Sequence, residues 1–298
     1  MLYRELGKSG LSVSEIGFGC MSLQVNNGDN NSILNRAIDA GINFFDTADI
    51  YQNGENEICL GKAVKHKRDK IFIATKVGNK PKKDGTGLDW DASTAHIFSA
   101  IEKSLTRLQA DYIDLYQLHG GTIDDNIDET IEAFEKLKQQ GKIRFYGISS
   151  IRPNVIKEYV KRSNIVSVMM QYSILDRRAE ESCFSLLEQN KVSVLARGSI
   201  AKGLLINKPV ESYLNYDNAD VSKAATAVSL LSNEKRNNVQ TALRFALKQN
   251  AITSAVIGIR TMQQLEDAIK TIDSPELEAD EIEYLKNILE AKHYELHR

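Results

Sequence analysis

Several things are scarce in this chain of 298 residues, and each shortage closes off a class of function. Cysteine is one: three residues, Cys20, Cys59 and Cys183, far apart and odd in number, which make neither a disulfide framework nor a zinc pattern. The five histidines, at 66, 96, 119, 293 and 297, show no metal-ligand spacing with any cysteine, so no metal site is expected. Net charge is also small, at −2, with both signs mixed along the chain. There is no basic field for a nucleic acid, and the charges read as a solvated surface. Long apolar runs are absent: none reaches the roughly 18 residues of a membrane span. The opening Met1-Leu2-Tyr3-Arg4-Glu5-Leu6 has no apolar signal core. A cytoplasmic protein that meets neither nucleic acid nor membrane is the expectation.

What is present is a regular alternation. At 42% hydrophobic, the chain can bury one large core. Leu2–Leu6 and Leu11–Val13, joined by Gly7-Lys8-Ser9-Gly10, read as a hairpin. Short apolar strands are then expected at Glu15–Gly19, Asn43–Phe45, Lys70–Thr75, Ile113–Leu118, Ile143–Ile148, Val166–Met170, Val192–Leu195 and Ser254–Ile257. Between them the spacing predicts helices over Asn30–Ala40, Glu55–Val64, Thr94–Leu108, Asp128–Gln140, Pro153–Lys161, Glu180–Gln189, Val239–Gln249 and Gln263–Ile272. A last amphipathic helix is expected from Ala279 to His293. Val77–Trp90 and Asn207–Asn237 read as long polar segments.

Strand and helix alternate eight times, at about 30 residues per unit, the size of a βαβ step. A doubly wound sheet and a (β/α)8 barrel both fit this alternation. Eight units with no linker and no composition shift favour the barrel, as a single domain over residues 1–298. The hairpin and the last helix would decorate its ends.

In such a barrel the active site lies at the carboxyl ends of the strands. Those ends carry Asp46, Lys76, His119, Ser149 and Ser150, Gln171, Arg197, and Gly258-Ile259-Arg260, with Tyr51 on the loop after Asp46. An ionised carboxylate at a strand end needs a cation, and Lys76 can supply it. The same ammonium is expected to lower the pKa of Tyr51 and make it a better proton donor. His119 would orient a substrate oxygen. Together the four residues would polarise a carbonyl and protonate its oxygen. No side chain delivers a hydride, so a nicotinamide cofactor would have to. Taken singly, each residue has a plainer reading: a structural ion pair, a core histidine, a loop aromatic.

Gly17-Phe18-Gly19-Cys20-Met21-Ser22 begins like a dinucleotide fingerprint. It lacks the third glycine, and the next helix opens too late, at about Asn30, so it is rejected as a Rossmann loop. Gly19, Cys20 and Met21 would still sit on the active rim. Gly258-Ile259-Arg260-Thr261, at the start of a helix, is a better anion anchor. An arginine there fits a 2′-phosphate and favours NADP over NAD.

These residues resemble the aldo-keto reductase family over essentially the whole chain. The likeness rests on Tyr3-Arg4-Glu5-Leu6-Gly7 with Ser9-Gly10-Leu11, Phe44-Phe45-Asp46-Thr47-Ala48 with Tyr51, Leu60-Gly61-Lys62-Ala63 and Ala74-Thr75-Lys76. It extends to Ser104-Leu105-Thr106-Arg107-Leu108, Asp111-Tyr112-Ile113-Asp114-Leu115-Tyr116 with His119, and Gly141-Lys142-Ile143-Arg144 with Gly147-Ile148-Ser149. The resemblance implies a (β/α)8 barrel, NADPH, and reversible reduction of aldehydes and ketones. It implies a catalytic tetrad at Asp46, Tyr51, Lys76 and His119. It places the cofactor carboxamide on Ser149 and Gln171 and the adenosine phosphate on Arg260, with Gln264 beside it. It adds Arg197, Gly198, Ser199, Ile200, Lys202 and Gly203 as cofactor contacts.

Three positions depart from the family pattern. Arg197, in Ala196-Arg197-Gly198-Ser199-Ile200, stands where many members have the tyrosine that stacks on nicotinamide. Ser150 replaces an asparagine after the strand serine, and Ala268 replaces one on the last barrel helix. The partner expected is a small aldehyde or ketone, and the chain is expected to be a monomer. The alternative function is a cofactor-binding, redox-sensing subunit of aldo-keto fold with little turnover. A third reading, Lys76 as a Schiff-base lysine, conflicts with a neighbouring Asp46 that would hold it charged.

Overall fold

The computed structural model describes residues 1–24, 29–82 and 84–298. The opening segments β1 (Tyr3–Glu5) and β2 (Ser12–Ser14) pair antiparallel as the expected hairpin. The remaining strands are β3 (Ile16–Gly19), β4 (Phe44–Asp46), β5 (Phe72–Val77), β6 (Asn79–Pro81), β7 (Leu88–Trp90), β8 (Ile113–Leu118), β9 (Ile143–Ser149), β10 (Ser167–Gln171), β11 (Ser193–Arg197) and β12 (Ile252–Gly258). Strands β3, β4, β5, β8, β9, β10, β11 and β12 run parallel in that order, and the barrel closes where β12 pairs with β3.

The helices are α1 (Asn30–Asp39), α2 (Glu55–Val64), α3 (Thr94–Leu108), α4 (Ile127–Gln139), α5 (Pro153–Arg162), α6 (Cys183–Gln189), α7 (Asn218–Leu230), α8 (Asn238–Leu247), α9 (Met262–Lys270) and α10 (Ala279–Asn287). Among the described residues, no helix is long and apolar enough to cross a membrane. Local chemistry sets several of the helix starts. Ser93 caps α3 through its side chain, Thr261 caps α9, and Asn237 with Gln240 forms a reciprocal box on α8. Pro153 opens α5, where a missing N–H costs nothing.

Two apolar layers follow from strand periodicity. Phe45, Ile73, Tyr116, Leu118, Tyr146 and Ile148 point outward and pack under the helices. Phe44, Ala74, Leu115, Met169, Leu195 and Val256 point inward and fill the barrel with Leu6, Leu11 and Val13 of the hairpin. The hairpin therefore plugs the amino end of the barrel. Arg4 ties it to the last strand and to the end of α8, donating to the carbonyls of Ile252 (2.7 Å) and Leu247 (3.1 Å).

Three expectations about individual elements are corrected. Val77–Trp90 is not a plain loop: β6 and β7 form a hairpin in it. Asn207–Asn237 contains α7, which buries a narrow stripe of Val221, Ala224, Ala227 and Val228. Because alanine makes up half of that stripe, the segment reads as polar. The last helix ends at Asn287 rather than His293.

Candidate active site

Side chains alternate along a strand, so the inward-facing set continues past the core into the carboxyl rim. Two residues beyond Phe44 stands Asp46; beyond Ala74, Lys76; beyond Leu115, Gln117 and then His119; beyond Met169, Gln171; beyond Leu195, Arg197. The interior packing register thus delivers the polar residues to one mouth. Asp46 pairs across the sheet with Ala74, and Lys76 with Gln117, which sets the carboxylate and the ammonium at adjoining levels.

Lys76 is 1% exposed and its Nζ lies 2.6 Å from Asp46 Oδ2. The same nitrogen donates to the Thr47 carbonyl at 2.7 Å and reaches the Tyr51 hydroxyl at 3.5 Å. Gln117 Nε2 donates to the other Asp46 oxygen at 3.2 Å. Gln117 was not singled out in the sequence, although its position two residues before His119 on the same strand face is the signal that finds it. The ring of Tyr51 meets that of His119 edge-on, with centroids 5.9 Å apart.

The electrostatics follow from burial and these contacts. Burial works against the Lys76 charge, but attraction to Asp46 and then Tyr51 outweighs it and holds the ammonium above the ordinary lysine value. Burial lifts the Asp46 carboxyl above its usual value, against the pull of Lys76. His119 is driven down to about 3, first by burial and then by Lys76 and Arg197, so it is neutral at physiological pH. Its Nδ1 is buried and, among the described residues, has no hydrogen-bond partner. One expectation is met only in part. Burial raises the Tyr51 phenol above its ordinary value, and Lys76 pulling downward only offsets part of that rise.

Beside this cluster lies a cavity of about 720 Å³, walled by Tyr51, Lys76, His119, Ser149, Arg197, Met21, Trp90 and Arg152 among others. Trp90 is fixed from two directions. Its indole nitrogen donates to Asp125 at 2.9 Å, and its ring fills a notch left by Gly78 and Gly120. A methyl added at Gly78, where φ is +125°, would sit 2.7 Å from the ring, and one at Gly120 3.1 Å from it. Asn79 at the base of the hairpin donates to the His119 carbonyl at 2.9 Å.

The expected cofactor residues fall around this mouth in distinct places. Gly19 pairs with Gly258; Cys20 is fully buried, while Met21 is exposed on the cavity wall. Gln171 Nε2 donates to the hydroxyl of Tyr213 at 3.2 Å, a contact the sequence does not announce. Gly198 and Gly203 take left-handed φ of +73° and +97°, as does Lys202 at +57°. Ser199 is buried, its hydroxyl unpartnered among the described residues, and Ile200 is half-buried beside it. Ile259 is buried, whereas Arg260 is exposed, and its backbone N–H donates to Gln264 Oε1 at 2.9 Å. Arg260 and Gln264 lie at the start of α9, outside the tetrad's cavity. Ala268 points into the core.

A closed eight-stranded parallel barrel with an Asp–Lys–Tyr–His cluster at its carboxyl mouth defines a class, and comparison with known proteins identifies it. The aldo/keto reductase family model matches residues 15–290, and the chain belongs to that family of oxidoreductases. It is 48% identical, over the full length of both chains, to the uncharacterized oxidoreductase YqkF of Bacillus subtilis (strain 168). It is 30% identical to the aldo-keto reductase YhdN of the same organism, over 97% of this chain and 94% of that one. Among solved structures, the holo form of aldo-keto reductase AKR11C1 from Bacillus halodurans superposes with a TM-score of 0.93 at 48% identity, covering 100% of this chain and 99% of that one. Members of this family generally use nicotinamide cofactors and act on carbonyl groups.

Proposed function

We propose that the protein is an NADPH-dependent reductase of aldehydes or ketones, acting as one domain and working through Asp46, Tyr51, Lys76 and His119. The observation that carries the reading is the Lys76 ammonium, held at once by Asp46 and Thr47 and within 3.5 Å of the Tyr51 hydroxyl. Tyr51 is the group that gives a proton to the carbonyl oxygen. Its raised pKa keeps the phenol protonated in the resting site. Lys76 then stabilises the phenolate left behind by that transfer, a charge that exists only after the proton moves. Neutral His119 walls the cavity beside Tyr51, where its imidazole would hold the substrate oxygen. Gln117 and Asp46 keep the ammonium in place.

The residues present fit a nicotinamide cofactor. A buried Ser199 hydroxyl lacks a partner, which is the kind of donor a bound ligand satisfies. Gly19 and Gly258 serve close packing of the adjoining strands: a methyl on Gly19 would sit 3.0 Å from the Ile257 carbonyl, and one on Gly258 would run into the Ser22 side chain. Ser149 and Gln171 would hold the carboxamide, and Gly198, Ser199, Ile200, Lys202 and Gly203 the linking phosphates. Gly258, Ile259, Arg260 and Gln264 would take the adenosine end, where the exposed Arg260 supports NADP over NAD. The cofactor, when bound, supplies the hydride.

The test is oxidation of NADPH and of NADH with a panel of small carbonyl compounds, in the wild type and in Tyr51→Phe. Turnover with NADPH that falls about 10²- to 10⁴-fold in the variant, with cofactor still bound, is the expected result. Equal turnover in the variant would remove Tyr51 from its role.

A further inference from the structure

The cavity beside the tetrad has a charge that the proposed reaction does not use. Arg152 and Arg197 both line it, and among the described residues no carboxylate does. Asp46 lies behind Lys76 and is committed to it. Asp125, on the loop after β8, has its oxygens taken by the Trp90 indole at 2.9 Å and the Thr122 N–H at 2.7 Å, and it is not part of the cavity wall. Among the described residues, neither Arg152 nor Arg197 makes an ion pair within the protein.

The two arginines stand on different sides. Arg197 ends β11 and adjoins the Gly198–Gly203 loop, on the cofactor side. Arg152 follows β9, and its Nη1 donates to the Gly121 carbonyl. It shares the cavity wall with Trp90, Leu88, Gly120 and Thr122, on the side left for substrate. A half-buried guanidinium pinned by one backbone carbonyl keeps its planar fork oriented while most of its donors stay uncommitted. With no ion pair among the described residues, the remaining donors are open to an anionic ligand. The cofactor need not be that ligand, because its adenosine phosphate belongs at Arg260, outside this cavity.

We infer that Arg152 is a specificity residue that pairs with a carboxylate on the carbonyl substrate, so that the protein prefers oxo-acids and aldehydes bearing an acid group over neutral carbonyls of the same shape. This deepens the reductase reading and rests on it. The apolar wall of Trp90, Leu88 and Ile151 would hold the carbon skeleton between the reacting carbonyl and the acid. A guanidinium–carboxylate pair suits this geometry because both partners are planar and bidentate.

The experiment compares kcat/KM for 4-formylbenzoate and its methyl ester with NADPH, in the wild type, Arg152→Gln and Arg152→Lys. The wild type should prefer the anion about ten- to hundredfold, the range of a charge-assisted hydrogen bond, with the difference carried by KM. That preference should collapse in Arg152→Gln and survive in part in Arg152→Lys. Added salt should weaken turnover of the anion and not of the ester. An anion-to-ester ratio that is the same in wild type and Arg152→Gln overturns the inference, while turnover of the ester still upholds the reductase reading. If the wild type turns over neither compound, it is the reductase reading that fails, and the anion site is then tested without activity. Trp90 is the single tryptophan and lines the cavity, so its fluorescence reports occupancy. A saturable response to cyclohexanecarboxylate, absent with cyclohexanecarboxamide and weakened tenfold or more in Arg152→Gln, supports the site. No response, or one that Arg152→Gln leaves unaltered, overturns it.

Discussion

Replacing Lys76 by methionine keeps an unbranched stem as far as Cε and removes the ammonium. The buried Asp46 then loses its 2.6 Å ion pair and, among the described residues, keeps only Gln117 as a side-chain donor, while the Thr47 carbonyl loses its partner at 2.7 Å. Breaking a buried pair from one side leaves an uncompensated charge and costs about 3–5 kcal/mol. Against a total stability of about 5–15 kcal/mol, that is a large fraction. The loss should depend on pH in a definite sense. Burial already holds the folded Asp46 pKa above its usual value, and without Lys76 it rises further, whereas the unfolded value stays near about 3.9. A raised folded carboxyl pKa gives stability that is present below the unfolded pKa and lost as pH rises through the folded one. Chemical denaturation should therefore show a gap between wild type and Lys76→Met that is widest near neutrality and narrows toward pH 5. Adding Asp46→Leu to the variant should recover much of the loss, because two apolar groups replace the stranded charge. A single variant within about 1 kcal/mol of wild type, or a double variant no better than the single, would show that the pair is not buried and coupled as described.

The His119 ring makes a second pH prediction. Its folded pKa of about 3 lies below the ordinary value of 6.5, so the unfolded chain takes up the proton first as pH falls. The group contributes its full stability above pH 6.5 and loses it as the pH drops toward 3. His119→Gln should flatten denaturation stability between pH 6.5 and 4 by up to about 1.4 kcal/mol per pH unit; an unchanged slope would mean that the imidazole is not buried as a neutral group. Gly78→Ala places a methyl 2.7 Å from the Trp90 ring at a backbone φ of +125°, so the indole must leave its notch. A shift in the emission of this single tryptophan is expected, and an unmoved spectrum would refute the notch.

Much of the fold is visible in the residues because both faces of each barrel strand are covered. Runs such as Ile71-Phe72-Ile73-Ala74 are continuously apolar and stop abruptly at Lys76. The same abruptness marks Asp46 after Phe44-Phe45, whereas His119 follows a strand that already carries Asp114 and Gln117 and is found by its place at the strand end. What escapes are features whose signal is spread thinly or lies across the chain. The α7 stripe is half alanine, and the β6–β7 hairpin has only three residues in each strand. The contact of Gln171 with Tyr213 spans 42 positions and has no local motif. The Tyr51 phenol fails differently: Lys76 can be read from sequence, but the depth of burial that overrules it cannot.

The hairpin that plugs the amino end of the barrel also sets a clock. Arg4 bonds to the Ile252 carbonyl across 248 positions, and Leu6, Leu11 and Val13 fill an interior that the last strand must close. During synthesis at about 5–20 residues per second, the first residues wait roughly 12–50 seconds for that partner. Through that interval the unclosed sheet carries open edges at β3 and at its growing end, and the three apolar plug residues lack their final neighbours. The vulnerable period of this chain is therefore its own translation, and substitutions in the hairpin should lower the yield of folded protein before they alter the finished enzyme.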